Sequence, residues 1–298
     1  MTPALGLELR DSAAVAVAVD DAGGVVARAA VESGGDLPAA ALEAVDVVIR
    51  AVGGSGPLGI AGDLGEGSSP AAIIALLEQR YTRPLVLGVT PSGTAAAVAE
   101  AWVGSAANAR DLVFFAVADH VIAGIVRNGA PVLGAGRRAA SIAWLALNPV
   151  EREDYRKVGC LEAEVAAAGI VRRLIWRIKA GDHSSVAETA GSDLSTITAA
   201  QVLHAARAGD GVSISVVRDT AKYLAMAAAN LVTILDPERL VLGGIMASAA
   251  DLLFEPVRAE LARRLPRPMM DALTVAPAAL GADAAAIGAA RLATAALP

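Results

Sequence analysis

Two hydroxyls stand at the point where an apolar strand, 85–89, runs through Thr90-Pro91-Ser92-Gly93-Thr94 into a helix opening on Ala95. Strand-to-helix turns present backbone N–H groups and side chains at a sheet edge, where α/β proteins hold their ligands. A serine there acts as nucleophile or proton acceptor only when a base activates it, and none is recognisable nearby in sequence. Ser92 or Thr94 is therefore read as a helix cap. Asp119-His120 is the second candidate, because histidine titrates near neutral pH; a solvated turn with a local Asp–His hydrogen bond is the expectation. Glu162, in VGCLEA, falls in a first helical turn, where the helix dipole stabilises a carboxylate. Gly243-Gly244 ends the apolar run LVLGG, and glycine at a strand end lets a helix pack closely. The single cysteine, Cys160, excludes an internal disulfide and a multi-cysteine metal site, and reads as a small buried hydrophobe.

The elements that must position these residues form two consecutive sets. In the first, the strands LGLEL, AVAVAVDD and VVARAAV precede the helix AALEAVDVVIRAV, the strand GPLGIAGDL and a helix entered through Ser69-Pro70. The strand 85–89 and the helix from Thr94 complete it. The second set opens after Asn108-Ala109-Arg110-Asp111 with LVFFAVAD and VIAGIVRNGAPV, the latter turning at Asn128-Gly129. Helices are expected at about 161–180, 198–208, 212–234, 251–264 and 284–296, with strands at 240–244 and LTVAPA. In the helix 161–180, Arg172, Arg173, Arg177 and Lys179 form a solvated face and Trp176 is expected to pack inward.

The chain has 298 residues, is 55% hydrophobic but only 3% aromatic, and carries a net charge of −6. Its core is built from alanine and valine. The charge argues against a nucleic-acid or anionic-membrane surface. Glu8, Arg10 and Asp11 interrupt the first apolar stretch, so no signal peptide is read there, and the apolar run at 224–235 is too short to span a bilayer. A cytoplasmic location is expected.

Four stretches in order, GIVRNGAPVLGAG (124–136), VGCLEA (158–163), NLVTILDPERLVLGGIM (230–246) and LGADAAAIGAARLA (280–293), resemble the ROK family of sugar kinases and sugar-responsive repressors. The resemblance implies an actin-like, two-lobed α/β fold with mixed sheets flanked by helices, residues 1–108 plus 284–298 forming one lobe and 109–283 the other. It also implies where a kinase of this family keeps its parts. Its base, in an Asn-Asp pair, aligns with Pro91-Ser92, so the base position holds Ser92; losing a positioned base costs about 10²–10⁴ in rate. The first phosphate turn, Asp-x-Gly-Gly-Thr in the family, reads Glu8-Leu9-Arg10-Asp11-Ser12, and the second, Gly-Thr-Gly, reads Ala118-Asp119-His120. A carboxylate about 4 Å from a phosphate charge costs roughly 4 kcal/mol at an effective dielectric near 20.

The family's structural zinc takes a histidine and three cysteines; here Trp144 stands at the histidine position, Ser141 at the sugar-binding glutamate beside it, and only Cys160 is left of the thiolates. Trp144 is expected to fill the space the metal would organise. Glu162 matches the family's other sugar-binding glutamate, whereas the sugar-gripping loop after GIAGDLGEG is missing. Gly243, Gly244 and Gly281 match the adenosine side.

The resulting expectation is a catalytically inactive, regulatory or ligand-sensing member with no cofactor, neither zinc nor Mg-ATP. Its partners would be a small sugar or nucleotide and a second copy in a homodimer, with no direct nucleic-acid or membrane contact. One alternative is an active ATP-dependent sugar kinase with a relocated base, for which Asp63 is the candidate. Another is the effector part of a ROK repressor without its helix-turn-helix, since the first strand already starts near Ala4.

Overall fold

The computed structural model describes residues 2–54, 56–63, 70–81 and 89–295, and the expected Ser69 cap and the strand residues 85–88 lie outside them. Its elements follow in chain order as β1 (Ala4–Leu9), β2 (Ala13–Val19), β3 (Val25–Glu32), α1 (Leu37–Val52), β4 (Leu58–Gly62), α2 (Pro70–Arg80), β5 (Val89–Thr90) and α3 (Ser92–Trp102). Next come β6 (Leu112–Val117), β7 (Val121–Arg127), β8 (Ala130–Pro131), α4 (Glu153–Val158), α5 (Cys160–Val165), α6 (Ala167–Lys179), α7 (Ser185–Ala190), α8 (Ala199–Arg207) and α9 (Gly211–Leu235). The chain ends in β9 (Arg239–Gly244), α10 (Ile245–Ser248), α11 (Ala250–Arg264), α12 (Arg267–Ala272), β10 (Thr274–Pro277) and α13 (Ala284–Ala295). Two compact units result: residues 1–114, 123–140 and 278–298, and residues 115–122 and 141–277. The family resemblance implied boundaries at 108/109 and 283/284.

The first sheet runs β3-β2-β1-β4-β5, antiparallel across β3-β2-β1 and parallel across β1-β4-β5. Every residue of β1, β2 and β4 is buried, as strands covered on both faces must be. On one face α1 packs on β2 and β3; α13 packs on β1 and β4 and meets α3. With Ala and Val as the main core residues, helix and sheet backbones approach closely. The second sheet runs β10-β9-β6-β7-β8, with β10 and β9 parallel and β7 and β8 antiparallel. Asn128 and Gly129 both take positive φ (53° and 79°), as a two-residue turn between β7 and β8 needs.

The second unit is mainly helical around α9, against which α5, α6, α8 and α11 pack. Asp210 anchors it. Its carboxylate accepts from Ser213 N–H (2.7 Å) in the first turn of α9 and from Ser185 N–H (2.8 Å) at the start of α7, with the Ser184 hydroxyl at 3.2 Å. Burial alone would push the Asp210 carboxyl up; the hydrogen bonds from Ser213, Ser185 and Ser184 outweigh it and hold the group below the usual carboxylate range. A depressed folded pKa contributes stability that is present above the unfolded value, about 3.9, and is lost as pH falls through the folded one. Asp210→Ala is expected to cost about 2 kcal/mol at pH 7, one cap at each helix. Urea unfolding of both proteins from pH 7 down to pH 3 should show that difference shrinking below about pH 4.

Candidate functional site

The carboxyl ends of β1 and β4 and the first turn of α3 bring Glu8, Arg10, Asp63 and Ser92 together in the first unit. Glu8 is buried although charged, one residue before β1 ends. Arg10 donates to its carboxylate through Nε (2.9 Å) and Nη2 (2.5 Å), and Nη2 also reaches Ala282 O at 2.5 Å. Burial pushes the Glu8 carboxyl up; Arg10 works against this, the Asp63 charge adds to it, and the Ser92 hydroxyl lowers it slightly. Glu8 is the residue the sequence reading undervalued. Its signal was there: a single acidic residue inside the apolar strand LGLEL.

Ser92 is buried in the first turn of α3 and does not cap it. The preceding Pro91 is the N-cap and makes no side-chain bond; the first-turn N–H of Ser92, which has no partner within the helix, donates to Asp63 Oδ2 at 3.1 Å. A remote carboxylate thus does the work expected of a local hydroxyl, and it suits the positive end of the helix. The arrangement offers acceptors to a ligand, with Arg10 as its cation. Gly281 has positive φ (55°) and open space around it. Its segment is tied to the sheet by Arg10 on Ala282 O and by Arg28 on Asp283 (2.9 Å).

In the second unit, Glu162 lies in the first turn of α5, as the sequence implied, but both its oxygens are engaged. Oε1 faces His120 Nδ1 at 3.1 Å and Oε2 accepts from Val121 N–H at 2.8 Å, pinning the turn 118–120. The expected Asp119–His120 bond is replaced by this His120–Glu162 pair. The expected helix 161–180 is two helices, α5 and α6, broken at Ala166 (ψ 166°), where Ala167 N–H donates to Ala118 O at 3.1 Å. Gly243 is buried at the end of β9. Gly244 follows in a conformation reserved for glycine (φ 62°, ψ −131°), and a Cβ there would lie 2.0 Å from Val117 O. Gly243 and Gly244 lie in one unit and Gly281 in the other.

The residues at the expected zinc position do not fit the metal. Ser141, Trp144 and Cys160 supply one thiolate where four strong donors are needed, and among the described residues no cluster of three His, Cys, Asp or Glu side chains could hold an ion. Trp144 does not fill that space: it is 58% exposed, and Trp176 is 69% exposed rather than packed inward. The packing role falls to Tyr155, buried with Cys160, Ala163 and Leu147. Its hydroxyl donates to the buried Glu164, which also pairs with Arg152 at 2.9 Å. Burial pushes the Tyr155 hydroxyl up, and Glu164 pushes it further. Tyr155→Phe should cost about 1–3 kcal/mol by stripping one donor from a buried carboxylate. Calorimetric melting should place the Tm of Tyr155→Phe below that of the parent, and EDTA should shift neither.

Residues 70–296 match the family model described as the ROK family, more than half of the chain. The chain belongs to the ROK family. It is 33% identical over 215 residues to a glucokinase of Halalkalibacterium halodurans, covering 71% of this chain and 64% of that protein. It is 25% identical over 186 residues to the DNA-binding transcriptional dual regulator NagC of Escherichia coli, covering 62% of this chain and 44% of NagC. The match thus spans less than two thirds of either relative. Among solved structures, a ROK family transcriptional regulator homologous to E. coli MLC superposes with a TM-score of 0.83 at 19% identity, over 98% of this chain and 78% of that one. A ROK glucokinase from Streptomyces griseus, in complex with glucose and AMPPNP, superposes with a TM-score of 0.79 at 21% identity, over 98% and 99% of the two chains. The fold of this ROK chain is therefore actin-like, with two mixed sheets flanked by helices. No helix among its described residues is long and apolar enough to cross a membrane.

Proposed function

We propose that this ROK-family protein does not phosphorylate a sugar and acts as a regulatory, ligand-sensing relative of the family's kinases and repressors. The observation that carries the reading is Ser92: the position the family resemblance assigns to the base holds a buried hydroxyl in the first turn of α3. A hydroxyl takes no proton from a sugar near neutral pH without a base of its own. Arg10, Asp11 and Asp119 support it, since they stand in the two turns where a kinase would expose glycine N–H groups to phosphate. Likeness to both a glucokinase and NagC agrees with a family that holds enzymes and regulators.

A second reading, an ATP-dependent sugar kinase using Asp63, is favoured by one distance: the Asp63 carboxylate lies 3.1 Å from the Ser92 nitrogen, beside the base position. ADP release with Mg-ATP and glucose, N-acetylglucosamine, N-acetylmannosamine, mannose or xylose separates the two. The expected result is no turnover above the protein-free rate. Turnover that Asp63→Asn lowers by about 10²–10⁴ would establish the kinase reading instead. Thermal unfolding against the same compounds reads sensing directly, since a ligand at a hundred times its Kd adds about 2.7 kcal/mol.

A further inference from the structure

We propose that this protein forms a two-fold symmetric dimer through β3, the outer strand of the first sheet, which pairs antiparallel with β3 of a second copy. The proposal concerns the first unit alone and holds whether or not the chain phosphorylates a sugar.

β3 ends its sheet on one side and is eight residues long, with neither proline nor lysine to blunt it. Its register on β2 is regular from Ala27 to Glu32, and just beyond, Ser33 N–H donates to Ser12 O at 2.7 Å. In an antiparallel ladder, residues that exchange hydrogen bonds alternate with residues that do not. The Ser33–Ser12 bond therefore makes Val31, Ala29 and Ala27 the residues bonded to β2. Arg28, Ala30 and Glu32 turn their N–H and C=O groups to the free edge. Their side chains are exposed, whereas Ala27, Ala29 and Val31 pack on the core shared with α1. Val25 and Val26, 42% and 53% exposed, leave apolar surface on the same strand.

Charge selects a second copy as the occupant. With Ala30 on the two-fold axis, Arg28 of each copy stands opposite the partner's Glu32, and Ala30 stands opposite itself. All three pairs are then bond-exchanging positions, each adding two backbone hydrogen bonds. No other register of these edge-facing residues sets the two charges opposite each other. Centring on Arg28 or on Glu32 instead brings like charges together. Arg28 Nε already holds Asp283 at 2.9 Å, which fixes the side chain and leaves its Nη groups for the partner's Glu32.

Sedimentation velocity from about 5 to 200 μM should show a monomer–dimer equilibrium, weak because one strand pair buries little surface. Amide exchange read by NMR should slow at Arg28, Ala30 and Glu32 as concentration rises. Ala27, Ala29 and Val31 should already be protected at the lowest. Arg28→Glu and Glu32→Arg should each weaken the dimer about three- to tenfold by setting like charges opposite. An equimolar mixture of the two variants should recover the parental affinity, because every pair across that heterodimer is again opposite in sign. Ala30→Pro, tolerated where an edge N–H faces solvent, should abolish dimerisation with the circular dichroism unchanged. A monomer at every concentration, a dimer that Glu32→Arg and Ala30→Pro leave intact, or a mixture no tighter than either variant alone would overturn the proposal.

Discussion

Replacing Glu100 by alanine should lower the unfolding free energy by about 3–5 kcal/mol, measured by urea denaturation at pH 7. Glu100 is 0% exposed near the end of α3 and makes four hydrogen bonds. Oε2 accepts from Ser105 N–H (2.7 Å) and the Ser105 hydroxyl (3.1 Å); Oε1 accepts from Ala279 N–H (2.9 Å) and Leu280 N–H (3.0 Å). Alanine would leave three backbone donors without an acceptor, each worth about 1–3 kcal/mol when dry, and some would find water. Gln at this position keeps the volume but sets an NH₂ group against a donor pair, so Glu100→Gln should recover less than half of the loss. The same bonds fix residues 279–280, directly ahead of the Ala282-Asp283 segment that Arg10 and Arg28 hold. Loosening Glu100 should therefore free Arg10 from its carbonyl partner, and faster amide exchange at 279–283 than in the rest of the first unit would show it.

The second large effect is expected at Gly59, on β4. A Cβ built there would lie 1.9 Å from Ala289 O and 2.6 Å from Ala289 C, both backbone atoms of α13. A side-chain neighbour could rotate away; a helix backbone cannot. Gly6 on β1 and Gly288 on α13 make the same kind of approach, to Ala286 O at 1.8 Å and Ala95 O at 1.7 Å, so α13 has no direction in which to retreat. Gly59→Ala should cost about 3 kcal/mol or more, at the upper end of core overpacking. Gly54→Ala serves as the control, because its Cβ would meet only the Thr2 methyl at an ordinary 3.6 Å; it should stay within about 0.5 kcal/mol of the parent. Equal unfolding midpoints for Gly59→Ala and the parent would show that α13 can shift.

Much of the architecture was written in local pattern. β1, β2 and β6 read as strands because short apolar runs end at turn residues, and Asn128-Gly129 announced its turn by chemistry that tolerates positive φ. Cys160 was placed correctly as a buried hydrophobe. α4, α7, α10 and α12 were not legible, being four to six residues long, too short for a helical period to show. Nor was the break at Ala166, where AEVAAAGI carries no breaker before Gly169. There the chain leaves the helix because Ala118 O offers Ala167 N–H a partner, a bond between residues 49 apart.

The site divides the same way. Element order indicated an α/β chain and four stretches in order its resemblance to ROK proteins, and that resemblance implied Ser92 at the base position and carboxylates in both phosphate turns. Sequence could name these residues because their types are local facts. Their partners were decided only by the tertiary fold: Asp63 for the N–H of Ser92, His120 and Val121 for Glu162, Tyr155 rather than Trp144 against Cys160. Hydrogen bonds and burial depend on which distant segments the sheets bring within about 3 Å, and residue spacing along the chain carries no such information.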